Sequence, residues 1–175
     1  HPEEDSKVKS LSKLVDIYYN SVGLNSSLLL NLPVDKRGLI HENEIENLNQ
    51  LSYYLDQTFS KNYVYKQNIE VSSSVKGFEK MNLIDGNLET YWVSRPDDLK
   101  PNFTLNFESP LEANTFMVQE YIQLGQRIQA FNFEIMSNGK WEKVYQGTTI
   151  GNKRLIRFKS KSIDLSRIIF AKREN

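Results

Sequence analysis

The spacing of apolar residues changes once along the chain, near residue 60. Before that point, apolar residues recur at helical spacing, which predicts two amphipathic helices. The first is predicted between Ser6, a suitable N-cap, and Gly23, and the second begins near His41. The predicted core-facing stripes are Val8, Leu11, Leu14, Val15, Tyr18 and Val22 in the first helix, and Ile45, Leu48, Leu51, Leu55 and Phe59 in the second.

Residues 27–33 lie between the two predicted helices and contain four leucines. The apolar run suits a short strand buried on both faces, although so short a segment leaves a helix open. Helix, strand and helix together form one piece of an α/β fold, but a single strand cannot make a sheet. We therefore expect residues 1–62 to be the end of a larger domain or an appendage packed on its neighbour.

After residue 62, apolar and polar residues alternate, which is typical of strands with one buried face. Turn-forming residues separate the runs at 108–111, 137–140 and 151–152. Many short strands with turns between them predict a β-sandwich or barrel for residues 63–175. The alternating positions are Phe103, Leu105, Phe107, Phe116, Val118, Phe131, Phe133, Ile135, Val144, Gln146, Ile156, Phe158, Ile168 and Phe170.

Charge and composition limit the classes of partner. Lys plus Arg equals Asp plus Glu at 22 each, so no net field attracts nucleic acid or an anionic membrane. The same balance argues against polyanionic glycans as ligands. No apolar run is long enough to span a bilayer. The absence of cysteine excludes disulfides and thiolate metal sites.

Residues 82–92, with the sequence NLIDGNLETYW, predict a fixed loop. Its centre, Asp85-Gly86-Asn87, is a tight-turn signal because glycine accepts a positive φ. The loop resembles one near the start of discoidin domains, also called coagulation-factor type C domains. Their sugar-binding relatives are the family 32 carbohydrate-binding modules. This resemblance implies that residues 63–175 form a discoidin-type jelly-roll β-sandwich.

A second resemblance concerns residues 15–33 and 37–43, which look like the C-terminal end of the catalytic domain of family 29 α-L-fucosidases. Residues 118–128 and 147–158 resemble segments of the discoidin domains appended to such enzymes. The family has a (β/α)₈-like barrel and an aspartate nucleophile. The resemblance implies that residues 1–62 are the end of that catalytic domain, here expected as two helices and one short strand. It also implies a bacterial protein that is periplasmic or extracellular, although we recognise no signal segment.

The barrel strands that carry the nucleophile in this family are not found in the chain. We therefore expect the chain alone to be inactive, and we assign no catalytic residue to it. In relatives a final strand follows the last one seen here, so we expect the sandwich to lack its last strand.

Candidate sugar contacts are Trp92, Arg95, Glu120, Gln123 and Arg127. Sugar sites combine an aromatic plate with planar polar groups directed at hydroxyls, and these residues fall on predicted loops and strand ends. Two alternatives compete with this hypothesis. Trp92 can be a core residue, and Glu120 and Arg127 can form a structural ion pair. A further polar residue, Asn31, lies where a barrel strand would end and face an active site, or it satisfies the backbone before Pro33.

The loop at 82–92 also has candidate calcium ligands in Asp85, Asn87 and Thr90. Calcium takes about six to eight oxygen ligands, and the resemblance implies a structural ion at this loop. It also implies that a further carboxylate comes from the final strand that we expect to be missing. That absence favours a loop held by hydrogen bonds alone, without a cofactor.

These patterns support one functional hypothesis and one alternative. The chain is expected to be the non-catalytic C-terminal portion of an α-L-fucosidase, with a discoidin domain that binds a neutral fucose- or galactose-containing glycan. Its other partner would be the rest of its own catalytic domain. The alternative is a purely structural sandwich that packs on the catalytic barrel and binds no ligand.

Overall fold

The computed structural model describes residues 8–65 and 67–171. The chain divides into two compact units, His1–Asn62 and Tyr63–Asn175. No helix among the described residues is long and apolar enough to cross a membrane.

The first unit contains the two predicted helices, α1 at Leu11–Ser21 and α2 at Glu42–Phe59. The Ser10 hydroxyl caps α1, whereas the predicted cap, Ser6, lies outside the described residues. At the other end of α1 a Cβ on Gly23 would lie 2.3 Å from the carbonyl oxygen of Tyr19, so only glycine fits there. Helix α2 starts where predicted, because Nδ1 of His41 accepts a hydrogen bond from the backbone N–H of Asn43 at 3.2 Å.

The strand predicted at residues 27–33 is not formed. A strand needs a neighbour for its backbone hydrogen bonds, and no described segment of this unit forms β pairing with these residues. Leu29, expected to be buried, is 93% exposed. The helical stripes are only partly confirmed: Leu14, Val15 and Leu51 are buried, but Ile45 and Phe59 are exposed.

The second unit is mainly one antiparallel sheet with the strand order β1-β2-β5-β3-β4. Short 3₁₀ helices at Lys80–Leu83 and Ile122–Leu124 lie in the connecting loops. The strands are β1 Asn68–Val71, β2 Asn102–Val118, β3 Phe131–Ser137, β4 Lys140–Gly147 and β5 Arg154–Phe170.

Two predicted strand boundaries are wrong. Residues 108–111 do not form a turn but lie inside β2, where the pairing with β5 shifts in register. The runs around Ile156 and Ile168 likewise belong to the single strand β5. The turn at 137–140 is confirmed, with Asn138 and Gly139 at φ 52° and 72° between β3 and β4.

The long strands β2 and β5 build two layers. The beginning of β2 pairs with the end of β5 beside β1 and β3, and their other halves pair only with each other. Across the two layers, Phe116 of β2 stacks on Phe133 of β3 with ring centroids 4.4 Å apart. The predicted β-sandwich is therefore confirmed. Its core contains Ile69, Ile84, Phe103, Leu105, Phe131, Phe133, Ile135, Ile150, Ile156, Ile163 and Ile168.

Candidate functional site

The loop that precedes β2 and the loop between β2 and β3 contact each other through aromatic rings. Tyr91 stacks on Tyr121 with ring centroids 4.5 Å apart and planes 14° apart. On its other side Tyr91 contacts Phe78 at 4.8 Å. Burial raises the pKa of Tyr121, and the nearby Glu89 carboxylate adds to the rise. This three-ring stack joins the two loops that carry the predicted sugar contacts.

The loop around Asp85 is closed by its own hydrogen bonds. The carboxylate of Asp85 accepts from the backbone N–H of Asn87 at 2.9 Å and from the hydroxyl of Thr90 at 2.6 Å. The Asn87 amide oxygen accepts in turn from the backbone N–H of Glu89. Gly86 has φ 75°, as the tight turn predicted. These hydrogen bonds close the loop in the tight turn that the sequence predicts.

The oxygen atoms of this loop can be compared with the ligand set that calcium requires. The Asp85 carboxylate and the carbonyl oxygen of Asn87 both lie within 3.0 Å of the Thr90 hydroxyl, so three oxygens converge. Calcium needs about six to eight. Among residues 8–65 and 67–171, no three His, Cys, Asp or Glu side chains are grouped to hold a metal. The described loop supplies only part of the required ligand set.

Trp92 lies in the environment of a core residue. Its indole N–H donates to the carbonyl oxygen of Ser73 at 2.9 Å, and its ring contacts Phe103 and Phe170 at about 6 Å between centroids. It packs partly buried against the hydrophobic core. This placement favours the core alternative over an exposed aromatic plate.

Arg95 is exposed, but the backbone that carries it is anchored. The backbone N–H of Arg95 donates to the Ser73 hydroxyl at 3.0 Å, and its guanidinium contacts Asp97 at 3.2 Å. Asp98 accepts from the hydroxyls of both Ser72 and Ser73 and from a backbone N–H. These hydrogen bonds hold the pKa of Asp98 below its usual value. Asp98 therefore ties the Arg95 loop to the end of β1.

Glu120 acts as a backbone anchor and not as the ionic partner of Arg127. One carboxylate oxygen accepts from the backbone N–H groups of Arg127 and Ile128. The other accepts from the backbone N–H of Gly151 at 3.2 Å. No ion pair joins the Glu120 and Arg127 side chains. The predicted ion pair is therefore wrong, because the carboxylate is already occupied by backbone donors of two loops.

Gln123 and Arg127 are exposed on the loop that Glu120 fixes. The Gln123 side-chain oxygen accepts from the hydroxyl of Tyr121 at 3.1 Å. The Arg127 guanidinium has no hydrogen-bond or ion-pair partner within the described ranges. Like Arg95, these two side chains of the predicted set are exposed, and Gln123 lies against Tyr121 of the aromatic stack.

Asn31 is exposed in a segment without strand structure, so the argument from a barrel strand end has no support here. Sequence reasoning missed the Tyr91–Tyr121 stack and the anchoring role of Asp98. An aromatic residue beside the predicted contact Glu120 was the available signal for Tyr121. Nothing local indicated Asp98, because its serine partners are 25 and 26 residues away.

Comparison with known proteins supports both resemblances. The sequence model of the F5/8 type C domain matches residues 67–172. Alpha-L-fucosidase 1 of Arabidopsis thaliana is 38% identical over 157 residues, which are 86% of this chain and 31% of that protein. The chain thus spans about a third of the length of the curated relatives it matches.

Solved structures of fucosidases match the chain over almost its whole length. A putative alpha-L-fucosidase from Bacteroides thetaiotaomicron is 30% identical with a TM-score of 0.89, covering 98% of this chain and 39% of that one. A GH29 fucosidase from Ruminococcus gnavus, solved in complex with fucose, is 28% identical with a TM-score of 0.85 and covers 95% of this chain and 34% of that one. The chain is therefore homologous to GH29 α-L-fucosidases, and its sandwich is of the discoidin type.

The anchoring role of Glu120 can be tested by substitution. Glu120→Ala leaves three backbone donors without their acceptor, and we expect the free energy of unfolding to fall by about 2 kcal/mol. Gln123→Ala, on the same loop but exposed, should change it by less than about 0.5 kcal/mol. Urea denaturation followed by fluorescence measures both. Equal stability of the two variants would show that Glu120 is not an anchor.

Asp98 should contribute stability that depends on pH. Its pKa is lowered in the folded state, so the contribution is complete above the usual aspartate pKa of about 3.9. It is lost as the pH falls through the lower folded value. The thermal midpoint of Asp98→Asn should therefore lie below that of the unmodified chain at pH 7, and the difference should shrink below about pH 4.

The matched control for this comparison is Asp97→Asn, since the Asp97 side chain is 76% exposed. It should show no such pH-dependent difference. A gap between Asp98→Asn and the unmodified chain that stays constant down to pH 2 would contradict the linkage argument.

Proposed function

We infer that this chain, which belongs to the F5/8 type C domain family, is the C-terminal part of an α-L-fucosidase and contributes glycan binding instead of catalysis. The observation that carries the inference is the continuous likeness to fucosidase structures over both units, with up to 98% of the chain covered. The same observation supports a location outside the cytoplasm, where fucosylated glycans occur. Residues 1–62 would be the end of the catalytic domain, and the rest of that domain would be their partner.

The non-catalytic role is supported by the way carboxylates are used in the first unit. A retaining glycosidase needs two carboxyl groups roughly 5 Å apart across the bond to be cleaved. Asp35 and Glu42 lie on either side of the Arg37 guanidinium and both contact it. The hydrogen bond from this arginine holds the pKa of Asp35 below its usual value, and the pKa of Glu42 is lowered by a backbone hydrogen bond and then by the same arginine. Such a pair stabilises the turn before α2, and neither member is placed as an acid catalyst.

Glycan binding is supported by the fixed loop beside the three-ring stack. Glu120 holds the backbone of Arg127, so the point from which the exposed side chain extends is fixed before any ligand arrives. A fixed backbone reduces the ordering cost of binding. The Gln123 amide and the Arg127 guanidinium offer planar hydrogen-bonding groups to sugar hydroxyls. We propose a neutral terminal fucose or galactose unit as ligand, bound weakly because the surface is shallow.

Calcium has no assigned part in this function. Structural calcium at Asp85, Asn87 and Thr90 stays a prediction from the family resemblance, and no step of the proposed binding depends on it.

Binding is tested on an array of neutral glycans with terminal fucose or galactose. We expect retention of the unmodified chain and loss of retention with Arg127→Ala or Arg95→Ala, because the removed groups are exposed hydrogen-bond donors. The thermal midpoint should stay nearly unchanged for the same reason. Lys140→Ala is the matched control, since it removes a cation from the turn at the other end of β3. Failure of the unmodified chain to bind any glycan would favour the alternative of a purely structural sandwich.

Catalysis is tested separately with an aryl fucoside. The chain alone should release no nitrophenol above the buffer background, because Asp35 and Glu42, the carboxyl pair described in the first unit, are both held by Arg37. The full-length parent enzyme serves as the positive control. Hydrolysis by the pure chain would refute the non-catalytic assignment.

A further inference from the structure

The chain has zero net charge, but one of its segments is strongly basic. Residues 140–161 contain seven basic side chains and a single acidic one, Glu142. The basic residues are Lys140, Lys143, Lys153, Arg154, Arg157, Lys159 and Lys161. Salt screens charge interactions beyond about 8 Å at physiological ionic strength, so the local charge and not the net charge decides which ions a surface attracts.

Four of these cations line one open groove of about 290 Å³. Lys143 comes from β4, and Arg157, Lys159 and Lys161 come from the first half of β5. These strand segments belong to different layers of the sandwich, since the first half of β5 pairs only with β2. The groove therefore lies where the two layers meet at the β4 side.

A register shift explains how neighbouring residues of β5 line the same groove. Ala113 of β2 is opposite Lys161, and Thr115 is opposite Arg157, so the β5 side has two more residues than the β2 side. Extra residues of this kind break the strict alternation of a strand and redirect its side chains. Arg157, Phe158 and Lys159 consequently all reach the groove.

The cations of the groove are incompletely neutralised. Glu142 forms an ion pair with Lys161 across the two layers. The Lys143 ammonium donates to the neutral amide of Gln146 at 3.1 Å. Lys159 has no partner among the residues that the structure describes. Lys143 and Lys159 thus have no carboxylate partner among the described residues, and they leave positive charge in the groove that an anion would relieve.

The groove also has apolar walls. Val144 and Phe158 line it while they pack, partly buried, against the core. Phe158 lies 5.8 Å from Phe133 between ring centroids, which holds it in place. An apolar surface beside fixed cations suits a sugar ring that carries acidic groups, because the ring has C–H faces and the substituents are anionic.

We propose that this groove binds acidic glycans, meaning sugar units that carry sulfate or carboxylate groups, at a site separate from the loops around Arg127. The choice of a glycan over a nucleic acid rests on the carbohydrate-directed function proposed above. This reverses the expectation from the sequence, where balanced charge argued against polyanionic glycans. That expectation relied on the sum of charges, which carries no information on their placement.

The test uses dextran sulfate as probe and uncharged dextran as its neutral counterpart, with the 175-residue chain in low salt. Dextran sulfate should bind and dextran should not, and binding should weaken steeply between about 50 and 200 mM salt. Lys143→Gln/Lys159→Gln should bind about tenfold more weakly, since two exposed charge contacts are lost. Glu142→Gln should bind more tightly, because it removes the acidic residue that faces the cations.

The matched control is Lys76→Gln/Lys80→Gln, which removes two exposed lysines elsewhere in the same unit. It should bind within about twofold of the unmodified chain. Absence of dextran sulfate binding, equal weakening in both double variants, or unchanged or weaker binding by Glu142→Gln would overturn the proposal. Tighter binding of single-stranded DNA than of dextran sulfate would also overturn it, in favour of a nucleic-acid groove.

The experiments can contradict the proposal for the loops and the proposal for the groove separately. Arg127→Ala should leave dextran sulfate binding intact, since Arg127 does not line the groove. Absence of neutral glycan binding by the unmodified chain would end the function proposed for the loops, whereas absence of dextran sulfate binding by the unmodified chain would end the proposal for the groove. Thermal midpoints of all variants confirm that the compared proteins are folded.

Discussion

The pairing of β2 with β5 is the interaction on which the second unit depends. Each strand is 17 residues long, and each contributes to both layers of the sandwich. The pairing would make one continuous ribbon if it were regular, but it shifts in register between Asn106 and Leu111 and again between Ala113 and Thr115. These irregularities let the ribbon pass from one layer to the other. The core between the layers and the groove at their edge both follow from this passage.

The loops depend on carboxylates that accept hydrogen bonds from distant backbone groups. Glu120 joins the start of its own loop to Arg127, Ile128 and Gly151. Asp98 joins the loop of Arg95 to Ser72 and Ser73. Loops with such anchors keep a defined shape while their side chains stay exposed. The proposed sugar contacts therefore lie on backbone that does not have to become ordered on binding.

The sequence pattern correctly predicted those features of the fold that depend only on residues close together in the chain. Helix α2, the turn at Asn138 and the turn at Gly86 depend on neighbouring residues, and all three appear where expected. The strand at residues 27–33 failed because a strand also needs a partner, which apolar composition does not reveal. The continuity of β2 was missed because Pro110 and its polar neighbours resemble a turn. The anchoring role of Glu120, predicted as a sugar contact with an ion pair to Arg127 as the alternative, was missed because its backbone donors, such as Gly151, are distant in sequence.

Carboxylates and basic side chains have different hydrogen-bonding roles, and this difference explains how a chain of zero net charge presents cationic surfaces. Three of its acids illustrate how carboxylates are engaged within the structure. Glu134 contacts Arg167, which also lies 3.9 Å over the ring of Trp141, and Glu120 and Asp98 accept from backbone or hydroxyl donors. Acceptors are needed inside a fold wherever backbone N–H groups lack a strand or helix partner, and carboxylates meet that need. Lys and Arg cannot accept hydrogen bonds, so they cannot meet this need. Arg127 at the loops and Lys159 in the groove are left in this way, and a polar, electron-rich ligand such as a glycan is what such donors recognise.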